Sequence, residues 1–345
     1  MSVAGPLRRL TNNAQVRLGL GLVGTLTLFS VFAPLMSPHD AFTSDFARGA
    51  SPSGPVGPSR VFLFGADRLF RDELVRLAEG GRTSLTIGVA ATALATTLGT
   101  AVGIVSGYYE GERGVRLPWA LLGGALLLVG VTVYGPVDLT TKLYAHHGLY
   151  VALGLLALAA TTRGLGQKAG PEIGVDAALM RAVDVGLAFP FLLLVMALGS
   201  AFERTSATTI LLTLGFSGWL GIARVVRAKT IGIKNQEFFL AARALGQRTH
   251  KILLLHVLPN VAGPVTVLAT LSVAQMIVAE SALSYLGVGI SPPTPTWGYM
   301  LFEGQEVYAT APWLLIAPFA AILTCVLGFN VLGEGLREAL DPRKD

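Results

Sequence analysis

The chain has 345 residues, of which 52% are hydrophobic and only 14% charged, with a mean hydropathy of +0.61. Soluble domains of this size carry roughly 25% charged residues, and several apolar runs here reach the ~20 residues that cross a bilayer, so the chain reads as an all-α polytopic membrane protein. The net charge of +5 does not mark a nucleic-acid binder, because the cations lie between apolar runs, where they set topology.

Arg8, Arg9 and Arg17 precede an apolar run over 18–36. A cleavable signal wants a shorter apolar core and a small-residue cleavage site, so this run reads as a retained first span. Segment 37–82, with SPSGPVGPSR, reads as an extracytoplasmic loop. Near its end, Phe70, Leu74 and Leu77 fall at i, i+4 and i+7. That spacing predicts a short amphipathic helix, lying either on the outer membrane surface or on the protein's own rim.

The second span is 83–107, where Gly99, Gly103 and Gly107 form a small-xxx-small ridge that lets another helix approach closely. Runs at 117–136, 148–162, 178–201, 207–226, 260–283 and 312–333 bring the expected spans to eight. Pro190 lies within one of them, and a proline removes a helix hydrogen bond and kinks its span. The lone cysteine, Cys325, lies in an apolar run and reads as packing, with no disulfide framework.

Charge asymmetry orients these spans. With 1–17 inside, the inside segments hold Arg113 and Arg116, then Arg163 and Lys168, then six cations between Arg227 and Lys251, then the tail 335–345. The short outside loops offer only Lys142 and Arg204. The long loop 37–82 mixes six arginines with six acidic residues, and longer loops obey the rule less well. Both termini and segment 234–259 are thereby placed inside.

That inside segment, EFFLAARALGQRTHKILLLHVLPN from Glu237, is too charged to enter lipid yet rich in helix formers. Gly246 either breaks or caps its first helix, and Leu258–Pro259 predicts a stop for its second. The residues alone leave two readings: a helical elbow that another protein approaches closely, or a solvated linker.

The string Ala241-Ala242, then Gly246, then Leu258-Pro259 resembles the cytoplasmic "EAA" loop of ABC importer permeases, within them the peptide and nickel group. FGADRLFRDELVRLAEGGRTSL, MRAVDVGLAFPFLLL, GWLGIARVVRAKT and AESALSYLGVGISPPTPTWGYML fit the same family in order. The resemblance implies the type I ABC importer transmembrane fold, with a six-helix core inside a permease domain over 83–334. Segment 110–176 would be an inserted two-helix hairpin, since an even number of added spans keeps 234–259 inside. His146–His147 at its tip read as a polar turn rather than a metal site.

The resemblance also implies partners. These are a second, homologous permease, two ATP-binding subunits that carry the ATP and magnesium, and an extracytoplasmic solute-binding protein, all at a bacterial or archaeal cytoplasmic membrane. Glu237, Ala241, Ala242, Arg243, Gly246, Leu258 and Pro259 would form the ATPase-coupling element. Three positions depart from the family pattern: Leu240 stands at an acidic position, His256 at an aliphatic one, and Phe70 where Gly-Arg-Asp has its glycine.

Charged groups inside spans are costly and point to function. Asp184 either pairs with Arg181 or reaches water. Glu280, with Ser284 on the same helix, lines the path, holds an outer gate or bonds two helices. Trp297, in PPTPTWG, lies either beneath the binding protein or in an interfacial aromatic belt. No catalytic residue or metal site is expected. The chain has no G-x-x-x-x-G-K-[ST] string. A serine protease at GFSG fails for want of a histidine within a span. An ion-coupled secondary transporter remains the rival, but it would show inverted repeats and leaves segment 234–259 unexplained.

Overall fold

The computed structural model describes residues 11–51, 54–112, 115–116, 172–199, 206–290 and 292–340. The chain divides into two compact units, Met1–Tyr108 with Ala182–Asp345, and Tyr109–Arg181. In the second, Val115–Arg116 pairs antiparallel with Glu172–Ile173. The expected runs 117–136 and 148–162 and the His146–His147 turn lie outside the described residues.

The larger unit is a helical bundle. Its long elements are α1 (Ala14–Phe32, continued by a 3₁₀ turn, Ala33–Met36), α2 (Glu73–Tyr109), α5 (Ala207–Lys234), α8 (Leu258–Tyr285) and α10 (Trp313–Leu340). Between them lie α3 (Val175–Ala188), α4 (Phe191–Gly199), α6 (Glu237–Ala244), α7 (Thr249–Ile252) and α9 (Trp297–Gly304). Five described helices are long and apolar enough to cross a membrane, with α3 and α4 as a bent sixth. Their apolar character runs all round, as bilayer helices require.

Polar side chains start several helices. Asn13 caps α1, its Oδ1 accepting from the Gln15 and Val16 backbone N–H groups. Ser206 accepts from Thr209 N–H at α5, and Thr296 from Tyr299 N–H at α9. Each satisfies a donor that the first helical turn leaves open.

Close approach then builds the bundle. The Gly99–Gly103–Gly107 ridge of α2 lies against α5 as the spacing predicts. A Cβ at Gly103 would sit 2.6 Å from the Ala223 carbonyl oxygen, and one at Gly107 would sit 2.8 Å from that of Arg227. α1 runs antiparallel to α10, with Gly19 against Leu332 and Gly335 against Val16. The core between α2, α8, α9 and α10 contains Leu77, Ile277, Trp297, Met300, Cys325 and Phe329. Cys325 is fully buried there, in the packing role expected of it.

The structure corrects four expectations. The surface amphipathic helix is absent: 67–72 is a tight turn, and from Glu73 the chain is already in α2, with Leu74 and Leu77 buried in the bundle. Of the i, i+4, i+7 residues, Leu74 and Leu77 lie in the first turns of a 37-residue helix, whereas Phe70 stands in the turn before it. The span expected over 178–201 is broken at Phe189–Pro190, and α3 and α4 meet at 94°, far beyond a proline kink. Asp184 is bonded not to Arg181 but to Arg224 of α5, Oδ1 accepting from Nη2 at 2.5 Å.

Fourth, Pro259 does not stop a helix. Helical backbone runs from Thr249 to Tyr285, with Leu253–Val257 wound as a π turn immediately before the proline. Proline lacks an N–H and its ring crowds the carbonyl four residues back. A widened turn relieves that crowding without ending the helix.

Candidate functional site

The residues expected to act lie at two opposite ends of the bundle, with a cavity between. At one end the chain leaves α5 and folds into the elbow α6–α7. Helix α6 ends on Gly246, whose φ of +70° is left-handed. Gly246 N–H donates to the Arg243 carbonyl at 3.0 Å, and Gln247 N–H to that of Ala242 at 3.2 Å. These two bonds are a Schellman cap, which favours glycine at this position. Gly246 therefore caps the helix, and the elbow is held in one geometry by its own backbone.

One face of α6 packs inward. Phe239 is buried with its ring edge-on to Tyr108 at 6.2 Å. Tyr108 reaches on to Thr249, hydroxyl to hydroxyl at 3.1 Å, and Lys234 Nζ donates to the Tyr108 carbonyl at 2.9 Å. The far side of the elbow is tied by His256 Nε2 and Gln247 Oε1, 2.9 Å apart.

Of the coupling residues named from the sequence, Glu237, Ala241, Arg243, Gly246, Leu258 and Pro259 are exposed. Ala242 is not. It is buried beside Phe239 on the inward face, so it sets the helix against the bundle and offers no contact outward. The i, i+3 spacing of Phe239 and Ala242 would have shown this. Sequence reading also gave no role to two apolar side chains on the exposed surface, Leu240 at 54% and Leu245 at 86% exposure. Arg243 beside them supplies a positive charge.

At the opposite end lies a buried ionic cluster. Asp67 Oδ2 is 2.6 Å from Arg71 Nε and 3.1 Å from Arg76 Nε. Both arginines reach the Glu303 carboxylate of α9, Arg71 at 3.0 Å. The arginines are almost wholly buried. Such charges persist in an interior only when paired and hydrogen-bonded. Asp72 adds a second tie. It caps α2 by accepting from Leu74 N–H at 2.9 Å, and accepts from Ser37 Oγ, just past α1, at 2.6 Å.

Below this cluster, Glu280 of α8 is completely buried and accepts from Ser84 Oγ of α2 and from Ser284 Oγ, each at 2.8 Å. Trp297 N–H leans on the same Ser84 oxygen at 3.4 Å, and its indole Nε1 donates to the Leu77 carbonyl at 3.0 Å. Trp297 is fully buried, so it is a core residue that joins α9 to α2, not an interfacial belt tryptophan. Glu280, Ser284 and Trp297 are thus brought together through Ser84, which the sequence did not single out. Pro190 stands apart at the α3–α4 break.

That break borders a cavity of about 660 Å³ between α3, α4, α5, α8 and α10, lined among others by Leu187, Phe191, Ser217, Gln275, Met276 and Asn330. Ser217, the GFSG serine, donates to the Thr213 carbonyl of its own helix at 2.7 Å, the bond of an ordinary helix serine.

Hydrophobic helices with inward hydrogen bonds, a break in one span and an exposed, capped elbow define a multi-pass membrane protein of the transport class. The family model described as "Binding-protein-dependent transport system inner membrane component" matches residues 168–345. The chain is 31% identical over 335 residues to the oligopeptide transport system permease protein OppC of Bacillus subtilis, covering 97% of this chain and 88% of that one. It is 32% identical over 336 residues to OppC of Escherichia coli K12, with 97% and 89% covered. To the glutathione transport system permease protein GsiD of another E. coli strain it is 31% identical over 321 residues, with 92% and 83% covered. The chain belongs to the inner-membrane components of binding-protein-dependent transport systems, and is an ABC importer permease subunit. The ion-coupled alternative has no support from these relatives.

Proposed function

We propose that this chain forms half of the translocation path of an ATP-driven importer of peptides or similar small solutes. A second, homologous permease completes the path, and an extracytoplasmic binding protein delivers the solute. Two separate ATP-binding subunits dock at the elbow α6–α7. In this reading both termini and the elbow face the cytoplasm, and the ionic cluster faces outward.

The observation that carries the reading is the elbow itself. A backbone-capped helix held by Phe239 and Tyr108 can transmit a push without melting, and it presents the apolar side chains of Leu240 and Leu245 on its exposed surface. Leu240 and Leu245 would seat in the ATPase subunit, with Arg243 at the rim and Glu237, Ala241 and Gly246 giving close approach. Apolar anchors in a pocket with charges around them are the usual energetic centre of an interface. The substrate class is supported by the relatives' transport of oligopeptides and glutathione.

At the outer end, Glu280, Ser284 and Trp297 would hold α8 and α9 against α2 and seal the path. The Phe189–Pro190 break would let α3 and α4 swing separately as the ATPases close, since a chain break absorbs rotation that a continuous helix resists.

The test is copurification in mild detergent, with this chain tagged and coexpressed with its neighbouring genes. Wild type should bring down ATPase subunits. Gly246→Glu, which puts a side chain on a left-handed residue and a charge on the docking face, should lose them while keeping the second permease. Solute transport by wild type with no ATPase subunit attached would refute the proposal.

A further inference from the structure

Two side chains fit poorly with a helix facing lipid. Gln275 lies in α8 near the middle of the apolar run 260–283, and Asn330 lies in α10 three residues inside the end of the run 312–333. Both amides are exposed, and among the described residues neither has a hydrogen-bond partner. Ser272, one helical turn before Gln275, is likewise without one. Hydrocarbon offers an amide no partner, so intramembrane polar groups face protein or a water-filled space.

All three line the same 660 Å³ cavity, beside the α3–α4 break. Two independent features therefore converge: amides without a partner, one at mid-span and one near the inner end of its span, and a discontinuous helix at the same cavity. Broken spans are a recurrent way to build a solute site, because irregular backbone is tolerated where it lines a cavity. The volume is in the range of small-ligand pockets, roughly 300–1,000 Å³.

The lining also defines the chemistry. None of the cavity's residues is charged. Gln275 and Asn330 each offer a carbonyl acceptor and an NH₂ donor, a match for the N–H and C=O of a peptide bond. Phe191, Leu187 and Met276 supply apolar surface tolerant of varied side chains. Such a site holds a neutral amide backbone through few bonds and lets it go, as conduction needs.

We infer that this cavity is the chain's solute-binding half-site, and that Gln275 and Asn330 hold the peptide bonds of the passing solute. The inference rests on the importer reading and names residues and ligand chemistry that it leaves open.

The test uses the whole complex in nanodiscs, with the buried thiol removed by Cys325→Ala. Gln275→Cys and Asn330→Cys are compared with Leu323→Cys, an exposed apolar position of α10 outside the cavity lining. A charged methanethiosulfonate should modify positions 275 and 330 at least tenfold faster than position 323, and 10 mM trialanine should slow both several-fold. Rates equal to that of position 323, with fast reaction to lipid-soluble N-ethylmaleimide, would show a lipid face and overturn the inference. Resistance to both reagents would show a partner helix packed there and also overturn it. Fast labelling that trialanine does not slow would leave an aqueous path without a peptide site, again overturning it. ATPase subunits are scored in each sample, so their absence marks failure of the importer reading separately.

Discussion

The two ends of the bundle solve opposite problems. At one, buried Asp67, Arg71 and Arg76 and half-buried Glu303 are charged and paired with one another across α2, α9 and the turn before α2. At the other, the elbow leaves Leu240 and Leu245 bare while the C-terminus of α6 is capped by backbone bonds. The first end uses strong interactions to tie its own elements together. The second uses them to fix a shape and leaves two apolar side chains exposed. Substitutions at the first should therefore act on stability, and at the second on assembly alone.

The largest effect is expected at Arg76. Arg76→Ala leaves buried Asp67 and half-buried Glu303 with one cation fewer, and breaking a buried ion pair costs about 3–5 kcal/mol. The detergent-solubilised protein should lose its monodisperse peak at a clearly lower temperature. An unchanged melting profile would mean that this end is solvated and not closed.

Gly103→Leu comes next. Its side chain would meet the Ala223 carbonyl and Val226, and overpacking costs about 1–3 kcal/mol, more when backbone must move. Thermal stability should fall, whereas Gly263→Leu, at a position with open space, should be near neutral. Equal effects would refute the ridge as the α2–α5 contact. Glu280→Ala strips two serines of their acceptor and should cost about 1–3 kcal/mol. Glu280→Gln keeps an acceptor and should cost less. If both variants lose transport while both stay folded, the negative charge itself would matter and a purely structural seal would be wrong.

The smallest effect is at Phe70. Its φ of 60° is rare for a bulky residue, with a cost of about 1–2 kcal/mol for the left-handed region. Phe70→Gly would relieve that cost but lose the edge contact with Phe46 at 5.5 Å. A net gain of about 1 kcal/mol or less is expected, read as a slightly raised melting temperature. A loss would show that the ring contact outweighs the strain.

The residues made some of this legible and not the rest. Apolar runs gave the long helices, because the bilayer forces backbone groups to bond within their own segment. The glycine ridge could be read because close approach needs small residues at every fourth position. Phe70, which stands where the family pattern in the sequence analysis has glycine, is a left-handed turn residue in the structure. Helix ends were misplaced where local rules were overridden. Leu258–Pro259 has the sequence of a stop, but a π turn absorbs it. Phe70, Leu74 and Leu77 have the period of a surface helix, yet Phe70 stands in a turn and Leu74 and Leu77 are buried in the bundle. The pairing of Arg71 and Arg76 with Glu303, some 230 positions away, has no local signal at all.

The elbow carries the central claim, and a photo-crosslinker tests it where it is most exposed. Benzoylphenylalanine at position 245, irradiated in intact membranes, should give one adduct whose mass adds an ATP-binding subunit. The same probe at position 323 should give none with that subunit. An adduct at 245 only with lipid, or none while transport continues, would contradict the account.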